Sequence, residues 1–202
     1  IGAAQQTKMA TIEAMWHTEP APASFNLIAG INEKEQKNDW QIQIPYAMGI
    51  IGTRSFDKEI PGIHDIKEVN RERIINGIEA VSLLEQLRES PEDMALKGQF
   101  DEVKEDLGFG LLLKKYTEDV TQATPEMIQK AVDDTIPAVA PMFWSFRGMV
   151  GLGFLMLALF AASMWYTVKG TFAEKTWLLK WAVIMLPAHW IAIELGWFVA
   201  EY

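Results

Sequence analysis

Residues 149 to 168, "MVGLGFLMLALFAASMWYTV", contain no charged side chain. As a helix rising about 1.5 Å per residue this run is about 30 Å long, one hydrocarbon thickness, so it is expected to cross a membrane. A second apolar run, residues 178 to 200, is interrupted only by Lys180, Pro187, His189 and Glu194. Lys180 lies near its start and can snorkel to the interface, whereas Pro187 predicts a kink whose freed carbonyl must be satisfied by neighbouring protein. Upstream the apolar spacing changes to threes and fours. In "HDIKEVNRERIINGIEAVSLLEQLRE", Ile66, Val69, Ile74, Ile78, Val81, Leu84 and Leu87 mark one face of an amphipathic helix. "EPAPAS", "IPGIHD" and "RESPED" are turn signals, and "TQATPEM" starts a further helix with Pro125 in its first turn. Near the beginning, "QQTKMATIEAMWHTEPAPASF" predicts a short helix with Met9, Ile12 and Trp16 as its apolar stripe, then a proline-stiffened loop. The expected fold is mainly α. A mostly helical region at 1–137 leads to transmembrane helices at 138–168 and 177–202, part of a membrane helical bundle, joined by a hairpin loop at 169–176.

Charge distribution gives this plan a direction. Residues 1–147 hold 24 of the 27 acidic and 15 of the 18 basic side chains, leaving three of each for the rest. An acidic outer part argues against nucleic acid as a partner, because phosphate binding needs basic surface. Lys169, Lys175 and Lys180 cluster in and beside the hairpin, which the positive-inside rule puts in the cytoplasm. The long first region is then expected outside, with Trp144, Trp165, Trp177 and Trp197 at the heights of interfacial aromatic belts. With no cysteine, disulfides and thiol catalysis are excluded, and no Gly-rich phosphate loop or zinc motif is present. A start at Ile1 and an end at Tyr202 directly after an apolar segment are expected of a piece of a longer polypeptide.

Three groups of residues could carry chemistry. Glu194 is an ionisable group at membrane depth, costly unless paired, neutralised or bound to a cation. Trp190, Glu194, Trp197 and Glu201 follow at steps of four, three and four, so one helix face presents a carboxylate between two indoles. The alternative is a protonated Glu194 hydrogen-bonded to a neighbouring helix. Arg147 and Met149 stand together where the first span leaves water. A heme suits them, since propionates pair with Arg and Met is an axial iron ligand, although an anchoring Arg and a packing Met form the same pattern. Lys8 and Glu13 lie about 140° apart on a helix, poorly placed to pair with each other, and a quinol headgroup needs one donor and one acceptor. An ordinary surface helix is the alternative. Burial beside the stripe is expected to raise the pKa of Glu13. His17 and His64 lie in polar contexts expected to be exposed, and His189 is a relay or an interface residue.

Together these residues resemble the large subunit of cytochrome bd quinol oxidases. The likeness lies in "TKMATIEAMWHTEPAPASF", "IPYAMGIIGTRS", "DLGFGLLLKKYT", "DDTIPAVAPMFWSFRGMVG" and "WIAIELGWFVAEY", in that order and across essentially the whole chain. The resemblance implies that the first region is the external Q-loop, in its long form with the insertion at about 40–130, and that the two spans are helices seven and eight of nine. It implies a bacterial inner-membrane enzyme, with residues 1–137 facing the periplasm, that oxidises ubiquinol or menaquinol and reduces dioxygen to water without pumping protons. Its cofactors would be low-spin heme b, high-spin heme b and heme d. Its partners would be a second large subunit and one or more small single-helix subunits. Lys8 and Glu13 would be the quinol-oxidation pair, Met149 an axial ligand of low-spin heme b, and Arg147 a residue close to that heme. Glu194 would ligate iron in the dioxygen-reducing pair, most simply the high-spin heme b, with Trp190 between hemes. The helices expected to supply histidine ligands are absent, and His189 departs from the family pattern. The reading from another class is a membrane-anchored extracytoplasmic binding or sensor module without redox activity.

Overall fold

The computed structural model describes residues 5–48 and 59–202. Part of "IPYAMGIIGTRS", residues 49–55, lies outside the described residues.

Helix α1, Gln6–Glu13, is shorter than its apolar stripe implied. It stops because Ala14 turns left-handed at φ 50°, and the amides of Ala14 and Met15 fold back onto the carbonyls of Thr11 and Ala10 at 3.1 and 2.9 Å. This is the two-bond closure that ends many helices, here with alanine where glycine is usual. Trp16 therefore lies beyond α1 and is not the third member of its stripe. It is buried all the same, its indole donating to Asn38 Oδ1 at 3.1 Å.

A β-hairpin follows, within a region that is otherwise helical as expected. Strands β1, Phe25–Asn32, and β2, Lys37–Ile44, pair antiparallel with Phe25 opposite Ile44 and Asn32 opposite Lys37. The cause is legible in "NDWQIQI", where Trp40, Ile42 and Ile44 alternate with Gln41 and Gln43 at the period of a strand. Trp40 lies across the bare backbone of Gly30 on the partner strand.

Helix α2, Ile63–Glu89, matches its predicted span, with Ile66, Ile74 and Val81 buried. Val69, on the predicted stripe, is exposed. Helices α3, Met94–Val103, and α4, Leu107–Leu111, fold back against α2. Helix α5, Pro125–Asp134, begins at the predicted proline, with Thr124 Oγ1 accepting from the Met127 amide. The α2–α4 crossing is backbone on backbone, since a Cβ on either Gly77 or Gly110 would run into the main chain of the other. Lys67 holds Asp133 of α5 at 2.8 Å, and Asn70 donates to Thr135 at the same distance.

Helix α6, Val139–Val168, has 30 residues. At about 1.5 Å each they reach about 45 Å, more than the hydrocarbon core needs. The excess lies at the first turns, where Val139 and Phe143 are buried in one cluster with Ala10, Trp16, Ala29, Ile63 and Ile66. The top of the span is thus part of the outer region's core. The second apolar run is broken as Pro187 predicted, into α7, Thr176–Ile184, and α8, Ala188–Glu201. Phe154, Leu157, Phe160, Val183, Ile184 and Ile193 stay exposed, the apolar surface expected of helices that meet lipid or other helices.

Candidate functional site

The turn that ends α1 sets Glu13 facing the first turns of α6. Its side chain is 2% exposed, and Oε2 accepts from a terminal nitrogen of Arg147 at 2.7 Å. The same guanidinium donates to the carbonyls of Ile12 and Asn26, so α1 and β1 are both tied to α6 through one side chain. Its flat faces are covered by aromatic rings, Phe143 at 3.7 Å and Phe25 at 5.1 Å from centroid to the guanidinium carbon. A planar fork with several donors fits three acceptors and two rings at once. Within this chain the acidic partner of Arg147 is the Glu13 carboxylate, a pairing that the sequence reading did not make.

Burial pushes the Glu13 carboxyl up to about 7, against the opposing pull of Arg147 and the Asn26 amide. An ion pair at 2.7 Å would by itself lower it; the loss of water is the larger effect at a side chain this enclosed. Glu13 can therefore both take up and release a proton near neutral pH. Asn26 of β1, which the sequence did not single out, completes the cluster. Its Nδ2 donates to the Glu13 carbonyl at 2.7 Å.

In front of Glu13 lies a cavity of about 490 Å³ whose lining includes Lys8, Met9, Glu13, Phe25, Phe146 and Met149. Lys8 and Glu13 do not pair with each other, as their spacing predicted. Lys8 Nζ donates to the Ala200 carbonyl near the end of α8. The cavity is apolar with an ammonium and a carboxyl on its wall, which suits a flat ring bearing two oxygens. Met149 closes it from α6, its thioether against Gly196 of α8, where a Cβ would come to 2.9 Å of sulfur.

The structure does not bring Glu194 or Trp190 to this cavity. Gly196 turns toward α6, and Glu194, two residues earlier, is about 200° around the helix and so on the opposite side. Glu194 is exposed, and no hydrogen bond or ion pair holds it among the described residues. Trp190 and Trp197 beside it are 68% and 63% exposed. The two candidate iron ligands, Met149 and Glu194, thus serve different sides of α8. Both are uncommitted donors of the right kind, a thioether and a carboxylate, so the residues present fit axial ligation of iron. Among the described residues no group of three or more His, Asp or Glu side chains is placed to hold a metal ion. His17 is exposed, but His64 is half-buried, its ring 4.8 Å from that of His17. His189 packs on Trp190 at 4.8 Å.

Comparison with known proteins places the chain in a family. The profile of the family described as "Cytochrome bd terminal oxidase subunit I" matches residues 1–202. Cytochrome bd-II ubiquinol oxidase subunit 1 of Escherichia coli (strain K12) is 37% identical over 198 residues, which are 98% of this chain and 38% of that protein. Cytochrome bd ubiquinol oxidase subunit 1 of Bacillus subtilis (strain 168) is 21% identical over 197 residues, 98% of this chain and 30% of that protein. The chain therefore spans well under half the length of these curated relatives.

Proposed function

The chain belongs to the cytochrome bd terminal oxidase subunit I family, and on that premise we propose that it is part of a bacterial membrane oxidase that takes electrons from quinol and reduces dioxygen to water. One observation carries this reading: a single cavity of about 490 Å³ has Lys8, Glu13 and Met149 on its wall. Lys8 binds one quinol oxygen, and Glu13 accepts the proton of the other. Phe25 and Phe146 on the cavity wall give the ring apolar surface to lie against.

Hemes, when bound, supply the one-electron redox chemistry that these side chains lack. Met149 would hold a low-spin heme b with Arg147 near it, and Glu194 a high-spin heme b on the other side of α8. Trp190 would lie between hemes and heme d would complete the oxygen site. Residues 1–137 face the periplasm, so quinol protons are released outside, and protons for water are drawn from inside, which builds a membrane potential without pumping. A second large subunit and small single-helix subunits cover the exposed faces of α6, α7 and α8. Ubiquinol and menaquinol both fit the chemistry of the site.

The test is Glu13→Gln in the intact complex. We expect quinol turnover to fall by about two orders of magnitude, the contribution of a general base, with heme absorption retained. Loss of the heme bands would make Glu13 structural, and a wild-type complex without heme bands would end the oxidase reading.

A further inference from the structure

Glu13 receives its proton from the cavity side, and a bound quinone would block the return by the same path. A second opening lies behind it. A cleft of about 240 Å³ has Asn26, Glu19, His17, Lys37, Asn38 and Gln41 among its lining residues. Glu13 lines the cavity and not the cleft, and Asn26 lines the cleft and not the cavity. Asn26 touches Glu13 directly, Nδ2 to backbone carbonyl at 2.7 Å, so it forms the partition between the two spaces.

The partition leaves buried polar atoms unpaired. Asn26 is 2% exposed. Because its Nδ2 donates to a carbonyl, which can only accept, its amide orientation is fixed and Oδ1 is the remaining atom. That Oδ1 and the Nε of Arg147 are the two buried side-chain atoms without a hydrogen-bond partner among the described residues. One is an acceptor and the other a donor, the complement that a buried water requires. On the cleft side Glu19 is half-buried, its carboxylate held by the Ser24 amide at 3.0 Å and by Gln43 Nε2 at 3.4 Å. Glu19 is near enough for its negative charge to act on Glu13. The charged groups around Glu13 are thus Arg147 from α6, Glu19 from the loop before β1, and Lys8 of α1 on the wall of the same cavity.

We propose that Asn26 and Glu19 form the outward proton exit of this site, a route that rests on the quinol reading above. The quinol O–H bond breaks and its proton bonds to a Glu13 carboxylate oxygen. Glu13 then gives that proton to water held at Asn26 Oδ1. The water passes a proton to the Glu19 carboxylate, which releases it to the outer solvent. Every step is an acid–base transfer that returns each group to its starting state, and the electrons of quinol take no part in it. Asn26 is a positioning residue and Glu19 the last proton carrier.

The experiment uses the intact complex with Glu19→Gln, which keeps an accepting oxygen but cannot carry the proton, and with Asn26→Leu, which keeps the branched shape and removes both polar atoms. Quinol oxidation is compared with oxidation of tetramethyl-p-phenylenediamine, an electron donor that does not need the exit. Each variant is expected to lower quinol kcat about tenfold, below the full contribution of a general base, with KM unchanged. Diamine oxidation should stay at the wild-type rate, and imidazole added to Glu19→Gln should restore quinol kcat. Full quinol kcat in both variants overturns the exit, as does a raised KM that imidazole leaves unchanged. If Asn26→Leu fails to assemble, Glu19→Gln decides alone. If Glu13→Gln itself leaves quinol turnover intact, the quinol reading fails, a result distinct from failure of the exit.

Discussion

Arg147→Gln removes the cation from a carboxylate that is 2% exposed. Breaking a buried pair by deleting one partner typically costs about 3–5 kcal/mol, because the remaining charge is stranded. Glu13 has an escape, since its carboxyl already sits at about 7 in the folded protein against an ordinary value of 4.5. A carboxyl raised on folding contributes stability that is complete below the unfolded value and is lost as pH rises through the folded one. In wild type this loss runs from 4.5 to about 7 and then stops. Without Arg147 the folded value rises further, and the loss continues above 7 at about 1.4 kcal/mol per pH unit. At pH 6, then, the substitution costs chiefly the guanidinium's hydrogen bonds to Ile12, Asn26 and the protonated Glu13, about 1–3 kcal/mol. By pH 8.5 about 2 kcal/mol more is added, roughly a thirtyfold rise in the open population. Limited proteolysis of the outer region in the intact complex reads that population when opening is fast relative to cleavage. The ratio of variant to wild-type cleavage should be larger at pH 8.5 than at 6. A ratio independent of pH, or larger at pH 6, would refute burial as the cause of the raised carboxyl.

Arg147→Lys keeps the charge but not the planar fork, so its cost should be the same at both pH values in the same assay; a cost rising with pH would show that lysine does not reach the carboxylate. Gly196→Ala places a methyl 2.9 Å from Met149 sulfur, and the flexible thioether must yield. Low-spin heme absorption should shift while the complex assembles normally, and an unchanged spectrum would remove Met149 from the ligands. Gly110→Ala drives a methyl into the α2 backbone at Gly77, which no rotamer change relieves. It should cost about 1–3 kcal/mol or more and raise proteolysis in the α2–α4 region, leaving quinol turnover per intact complex unaltered.

The helices were legible wherever one physical rule acted locally. Threes and fours set α2, Thr124 with Pro125 set the start of α5, and the charge-free run and Pro187 set the two apolar spans. The hairpin was missed although Trp40, Ile42 and Ile44 alternate with glutamines, because that alternation is short and "NEKEQKND" before it reads equally as a helix or a turn. Glu13 and Lys8 were singled out as candidates from the sequence, but their partners were not. Arg147 is 134 residues from Glu13, and no periodicity spans such a gap. Asn26 carried no signal, since a single asparagine in a strand becomes significant only when its neighbours fix which amide atom is left over.

The position of Arg147 explains how the region before α6 is coupled to that helix through one side chain. α6 is longer than the hydrocarbon core, and its extra turns offer Phe143 and Arg147 to the outer region. A guanidinium at such a border would be costly if left with its charge desolvated. Three oxygen acceptors and two ring faces offset that cost together, and each comes from a segment that must be in place for the others to fit: Ile12 and Glu13 from α1, Phe25 and Asn26 from β1, Phe143 from α6. Loss of the hairpin would remove the Asn26 carbonyl and the Phe25 ring at once and leave Arg147 competing for Glu13 alone. The hairpin therefore does more than cover the site. It holds the cation that keeps the Glu13 proton near neutrality, two residues before the methionine proposed to meet iron.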